Sequence, residues 1–218
     1  FKPSEFATLS GLAMTRLLHE AGVPKDVLIA VVGGAATGEA LVAQKIDGLF
    51  FTGSHATGVG LARTVGPRLI KLQLELGGKD PSYVRHDADL ALAIAENVDG
   101  AFFNSGQSCC AIERIYVHTD VYDDFVDGFV DLTKQYVLGN PLDPNTTIGP
   151  MVNTAAAAFI RRQIEDAFAS GAQQLVGESH FPNSNTDSAY MGPTVLVDVN
   201  HSMSVMREES FGPVIGIM

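Results

Sequence analysis

Residues Val27–Leu76 read VLIAVVGGAATGEALVAQKIDGLFFTGSHATGVGLARTVGPRLIKLQLEL, and apolar runs alternate in them with short helical patterns. Val27 to Val32 is an apolar run that ends in Gly33-Gly34, the pattern of a buried strand entering a turn. A helix of small residues is expected from Ala36 to Gln44, a strand from Gly48 to Thr52, a helix from Thr57 to Val65 and a strand from Leu69 to Leu76. Strands and helices in this succession imply parallel pairing through right-handed crossovers. The expected class is α/β, with open parallel sheets of the Rossmann-like kind, whose ligands sit at the carboxyl ends of strands.

Working outward, Leu9, Leu12, Ala13, Leu17 and Ala21 lie at helical spacing ahead of this stretch, with Gly22 and Pro24 as stop signals. The glycine clusters inside it are near misses to known phosphate-binding fingerprints. Gly33 to Gly38 matches G-x-x-x-x-G, but Glu39-Ala40 follows where a P-loop needs Lys and Ser/Thr, which speaks against a triphosphate site. Gly58-x-Gly60 begins like a dinucleotide fingerprint, but Arg63 stands at the third glycine position. Gly53 and Ser54, just before a helix, can still offer backbone N–H groups and a hydroxyl to a pyrophosphate. The plainer alternative is that these glycines only make tight strand-to-helix turns.

Beyond Leu76 the pattern changes. Gly77-Gly78 reads as a joint, Pro81 to Val84 as a short strand, and Asp87 as the cap of a helix from Ala88 to Phe103. That helix is apolar nearly all round and is therefore expected to be buried. Further elements are expected as a strand at Ile115–His118, an amphipathic helix marked by Val121, Phe125, Phe129, Leu132 and Tyr136, and an exposed loop from Gly139 to Pro150. A helix through Phe159, Ile164 and Phe168, a polar insertion from Ser179 to Ser188 and a strand from Thr194 to Val199 follow. Both ends look cut, because the chain opens directly before a helix and stops at Val214–Met218 in the middle of a strand.

The chain's only two cysteines, Cys109 and Cys110, sit in FFNSGQSCCAIER, Phe102 to Arg114. Adjacent cysteines do not offer the separation that an ordinary disulfide needs, and they have neither CxxC nor zinc-site spacing. Ser108 is a candidate cap for a short helix beginning at Cys109, whose dipole would favour a thiolate. A nucleophile with a neighbour and a pair of buried thiols both remain open. Glu75 is the second candidate. Burial among the leucines of LQLEL would desolvate its carboxylate and suit a general base, whereas an exposed strand face is the plainer placement. The six histidines are scattered and fall in no motif that would support a Cys-His hydrolase. No metal site is expected.

A net charge of −11 argues against affinity for nucleic acid or an anionic membrane surface. No apolar run approaches a membrane span, and adjacent cysteines make no secreted disulfide framework. The expected compartment is cytoplasmic.

LELGGKDP (Leu74 to Pro81) followed by FFNSGQSCCA (Phe102 to Ala111) resembles the paired active-site signatures of the aldehyde dehydrogenase superfamily, and the interval between Glu75 and Cys109 matches that family's spacing. KPSE (Lys2 to Glu5) and FFTGS (Phe50 to Ser54) resemble its cofactor-binding motifs, and EESFGPV (Glu208 to Val214) its segment over the nicotinamide ribose. The resemblance implies a partial NAD-binding domain over residues 1–77 and a partial catalytic, thiol-bearing domain over 78–218. It implies Cys109 as nucleophile, Cys110 as its non-catalytic neighbour and Glu75 as general base, with both catalytic groups facing one cleft. Lys2 and Glu5 would hold the adenosine ribose, Gly53 and Ser54 the pyrophosphate, and Glu209 the nicotinamide ribose with Phe211 packing nearby. A carboxylate at Glu5 favours NAD over NADP.

The implied activity is NAD-dependent oxidation of a small-molecule aldehyde to a carboxylic acid through a thiohemiacetal and a thioester, in a homo-oligomeric parent, dimer or tetramer. The alternatives are a non-catalytic structural homologue and a thiol hydrolase or esterase. Family members are longer, and their oxyanion-hole asparagine and much of their substrate pocket fall outside the positions matched here. The segment on its own is therefore expected to be poorly active.

Overall fold

The computed structural model describes all 218 residues. The chain divides into two compact units, Phe1–Leu76 and Gly77–Met218. The first unit contains α1 (Thr8–Glu20), α2 (Ala35–Val42), β1 (Gly48–Gly53), α3 (His55–Val65) and β2 (Lys71–Leu76). β1 and β2 pair in parallel, from Gly48 opposite Lys71 to Gly53 opposite Leu76, with α3 as the crossover. Ser54 caps α3, its Oγ accepting from the Thr57 amide at 3.3 Å. Gly66 and Pro67 then end that helix in a 3₁₀ turn, so β2 begins at Lys71, after Leu69.

One expected strand is not there. Val27–Val32 forms no ladder: the Val31 amide donates to the Phe1 carbonyl at 2.8 Å and Ile29 accepts from the Phe1 ammonium at 2.8 Å. Val27 and Ile29 are 72% and 60% exposed, so the run is not core in this unit. An apolar run becomes a strand only where another strand meets it, and β1 takes β2 as its partner instead.

The second unit contains β3 (Asp80–Val84), α4 (Leu90–Phe102), β4 (Ile112–Val117), α5 (Tyr122–Thr133), α6 (Thr154–Ala169), β5 (Gln173–Val176), β6 (Thr194–Val197), α7 (Ser204–Arg207) and β7 (Val214–Ile217). Its sheet runs β3-β4-β7-β6-β5, parallel except for β5 at one edge. Strand alternation sends Ile215 and Ile217 into a core with Val98, Phe102, Phe125 and Phe129 of α4 and α5. Val214 joins the opposite core with Ile160 of α6, Leu196 and Met206 of α7. Each such side chain, taken fully out of water, contributes about 1.5–3 kcal/mol, so β7, buried along its whole length, anchors the unit.

Two details of α4 depart from expectation. The cap is Asp89, whose Oδ1 accepts from the Leu92 amide at 3.1 Å. Asp87 pairs with Arg85 in the preceding turn, where the Ala88 amide already bonds to the Arg85 carbonyl and the chain is not yet helical. The helix is also not buried all round: Asn97, Val98, Ala101 and Phe102 are buried, whereas Leu92 is 58% exposed. Its other side has no second layer within this unit.

The polar insertion around Ser179–Ser188 is fastened from below. Arg161 of α6 grips Glu178 through Nε and Nη2, at 2.7 and 2.9 Å, and donates to the Asn185 and Thr186 carbonyls. Glu178 also accepts from Ser184. No helix of the protein is long and apolar enough to cross a membrane.

Candidate active site

Cys109 lies in a turn, not at the start of a helix. The last turn of α4 unwinds through Asn104, Ser105 and Gly106, all left-handed with φ of 52°, 59° and 68°. β4 begins at Ile112, which leaves no room for a helix after Ser108. The Ala111 amide closes the turn on the Ser108 carbonyl at 3.2 Å, and Ser108 Oγ contacts Cys110 Sγ at 3.3 Å. Both thiols are exposed, which removes the buried-thiol alternative. Cys110 Sγ is thus tied to its own turn while Cys109 Sγ takes no such partner, and the Cys109 amide is bonded to no acceptor in the chain.

The turn is held from below by a segment distant in sequence. Ser105 Oγ donates to the Gly149 carbonyl at 2.8 Å, and Gln107 accepts from the Val152 amide at 2.7 Å through Oε1. Gly106 meets two demands at once: its φ is positive, and a Cβ there would stand 2.3 Å from the Gly212 carbonyl oxygen. Gly106→Ala is therefore expected to lower the thermal midpoint of the folded chain by several degrees, as a strained position costing about 1–3 kcal/mol does. Differential scanning calorimetry of the variant beside the parent is the check, and an unchanged midpoint would contradict the close approach to Gly212.

That close approach joins the thiol turn to the Glu208–Pro213 loop. At the loop's base lies an ion pair that no periodicity pointed to: Lys79 Nζ meets Glu113 Oε2 at 2.7 Å, with the side chains 6% and 4% exposed. Glu113 also accepts the Ser210 amide at 2.8 Å and the Phe211 amide at 2.9 Å, one on each oxygen. Lys79 donates a second bond to Ser210 Oγ at 2.9 Å. Burial pulls the Lys79 ammonium below the usual lysine range, against the attraction of Glu113. Removing one partner of such a pair strands a buried charge, at about 3–5 kcal/mol. Phe211 is held at φ 52° and is 41% exposed.

Glu209 rests against the glycine joint: the space a Cβ at Gly77 would take is occupied by its carboxylate, with Oε1 1.6 Å from that position. Burial raises the Glu209 carboxyl above the usual carboxylate range and the charge of Glu113 adds to this, while Lys79 and the Gly78 backbone oppose it. Lys79, Ala111 and Pro213 immediately precede β3, β4 and β7, so this cluster sits at the amino ends of parallel strands.

In the first unit the candidate pyrophosphate residues lie at the carboxyl end of a strand. Gly53 closes β1 and Ser54 opens α3, while Glu75 stands opposite Thr52 on β2. Glu75 is on the exposed face of β2 and accepts from Gln73 Nε2 at 2.7 Å. It is not desolvated by LQLEL within this unit, because strict alternation turns the three leucines to the other face. Lys2 and Glu5 lie together, with Lys2 Nζ 3.8 Å from Glu5 Oε2 and 2.8 Å from the Gly33 carbonyl. No group of three or more His, Cys, Asp or Glu is placed to hold a metal ion.

Comparison with known proteins identifies the family. The aldehyde dehydrogenase family model matches residues 1–218. Aspartate-semialdehyde dehydrogenase 1 of Pseudomonas canavaninivorans is 40% identical over 98% of this chain and 44% of its own length. Lactaldehyde dehydrogenase of Escherichia coli is 36% identical over 100% of this chain and 45% of its own. Among solved structures, betaine aldehyde dehydrogenase of Staphylococcus aureus, crystallised with NAD+, superposes with a TM-score of 0.91 at 32% identity, covering 100% of this chain and 44% of that one. The chain thus spans less than half the length of the curated relatives it matches. With its α/β architecture and its sequence both matched from end to end, the chain belongs to the aldehyde dehydrogenase family.

Proposed function

We propose that the protein carrying this chain oxidises an aldehyde to a carboxylic acid with NAD, with Cys109 as nucleophile and Glu75 as general base. The exposed Cys109 thiol carries this assignment: it stands on a turn pinned to Gly149 and Val152, beside an unpaired Cys109 amide. Attack of the thiolate on the carbonyl carbon forms the C–S bond and places negative charge on oxygen, where the Cys109 N–H is a ready donor. The thiohemiacetal loses its former aldehyde hydrogen with the bonding electron pair, leaving a thioester. Glu75 takes a proton from water, the hydroxide adds to the acyl carbon, and the C–S bond breaks to return the thiolate and release the acid.

The residues present fit NAD. The paired ammonium and carboxylate of Lys2 and Glu5 suit ribose hydroxyls, and Ser54 with the first-turn amides of an eleven-residue helix suits a pyrophosphate. Glu209, next to Gly77, suits the second ribose, with the exposed Phe211 alongside. When bound, NAD supplies the hydride acceptor. The carboxylate at Glu5 disfavours a 2′-phosphate and hence NADP. Residues 1–77 then form part of the NAD-binding domain and 78–218 part of the catalytic one. The relatives' names speak of semialdehydes, lactaldehyde and betaine aldehyde, so a small polar aldehyde is the substrate class proposed. A homo-oligomer, dimer or tetramer, in the cytoplasm completes the proposal.

The test is full-length protein with a panel of such aldehydes, followed at the nicotinamide absorbance. NADH formation is the expected result. Ester cleavage without NADH would replace the proposal with a thiol hydrolase, and silence in both assays with a structural homologue.

A further inference from the structure

We propose that the buried Lys79–Glu113 pair is a positioning device that presets the Glu209–Phe211 loop for the nicotinamide end of the cofactor, a step that rests on the functional reading above. Three observations converge on it. Glu113 spends both carboxylate oxygens on successive amides of the loop, Ser210 and Phe211, at 2.8 and 2.9 Å. The residue whose amide it holds, Phe211, stands at φ 52°, a backbone conformation that a bulky side chain keeps only when its surroundings impose it. The charge that makes Glu113 a strong acceptor is retained in a buried place because Lys79 lies 2.7 Å away and ties itself to the same loop through Ser210 Oγ at 2.9 Å.

The backbone that carries the two outward-facing groups of the loop is then held in place. Glu209 directly precedes the clamped Ser210 and lies with its carboxylate against Gly77, while Phe211 remains 41% exposed although its amide is held. Neither Lys79 nor Glu113 is exposed enough to meet a ligand, so they act through Glu209 and Phe211. A cofactor entering such a site finds the loop already ordered and does not have to supply that ordering from its own binding energy. A plain structural ion pair would not need to place one acceptor on the strained residue of the loop and the other on the amide before it.

The experiment uses the full-length protein and three variants: Glu113→Gln, which keeps one acceptor but loses the charge; the uncharged pair Lys79→Met with Glu113→Gln; and Lys79→Arg, which keeps the cation. Amide hydrogen exchange at Ser210 and Phe211 reads the clamp, and initial rates at varied NAD read its use. Expected results are exchange at least tenfold faster and a KM for NAD at least tenfold higher in Glu113→Gln, with Lys79→Arg near the parent. The uncharged pair leaves no stranded charge and keeps the assay interpretable if the single variant folds poorly; it should show the same rise in KM with a cooperative unfolding transition. Unchanged exchange would overturn the clamp, and faster exchange with an unchanged KM would overturn its role in positioning. Parent protein that turns over no aldehyde with NAD would instead sink the functional reading, which the variants do not touch.

Discussion

Cys109→Ala is expected to lower aldehyde oxidation by the full-length protein by about 10⁴–10⁶-fold, the scale on which removing a covalent nucleophile acts, while Cys110→Ser should stay within about threefold, as an exposed substitution should. The structure gives the asymmetry a reason. Cys110 Sγ lies 3.3 Å from Ser108 Oγ and its amide bonds to the same hydroxyl, so that thiol belongs to the turn. Cys109 has neither tie and carries the free amide that an oxyanion can use. The comparison is made by NADH formation and by NAD binding in the same samples. Binding should survive in Cys109→Ala, since the groups assigned to NAD are all elsewhere. Full turnover by Cys109→Ala with loss of turnover by Cys110→Ser would exchange the two roles.

Which parts of this were readable in the sequence follows the range of the interactions. Local patterns were enough where spacing and turn residues agree: the helix from Thr8, the crossover from Gly48 to Leu76 and the strand at Val214 lie where periodicity and glycine place them. They failed where a partner was needed, as at Val27–Val32, or where two carboxylates compete for one cap, as Asp87 and Asp89 do. The local pattern at Ser108 suggests a helix beginning at Cys109, whereas the structure has a turn there. Only Gly106 announces positive φ; Asn104 and Ser105 adopt it because Ser105 is pulled onto Gly149, 44 positions away. Lys79, Glu113 and Ser210 lie inside or beside motifs that were noticed. Their meeting across 34 and 131 positions has no local signature.

Glu75→Gln separates the two halves of the proposed reaction. In β2 the carboxylate faces solvent and is shared only with Gln73 at 2.7 Å, so amidation leaves a side chain of the same shape on the same strand face and should cost the fold little. On the proposed mechanism acylation does not need Glu75, and each Cys109 should still yield one equivalent of NADH on first contact with aldehyde and NAD. Hydrolysis on that mechanism does need it, and without a base to take the proton of water the steady state should fall by about 10²–10⁴-fold. Rapid mixing should therefore show a burst equal to the thiol concentration followed by a slow phase. Mass spectrometry of the quenched protein should find the acyl group on the peptide holding Cys109. Loss of burst and steady state together would mean that Glu75 acts before the thioester forms, for instance in drawing the proton from the attacking thiol, and the assignment of water activation to this carboxylate would fall with it.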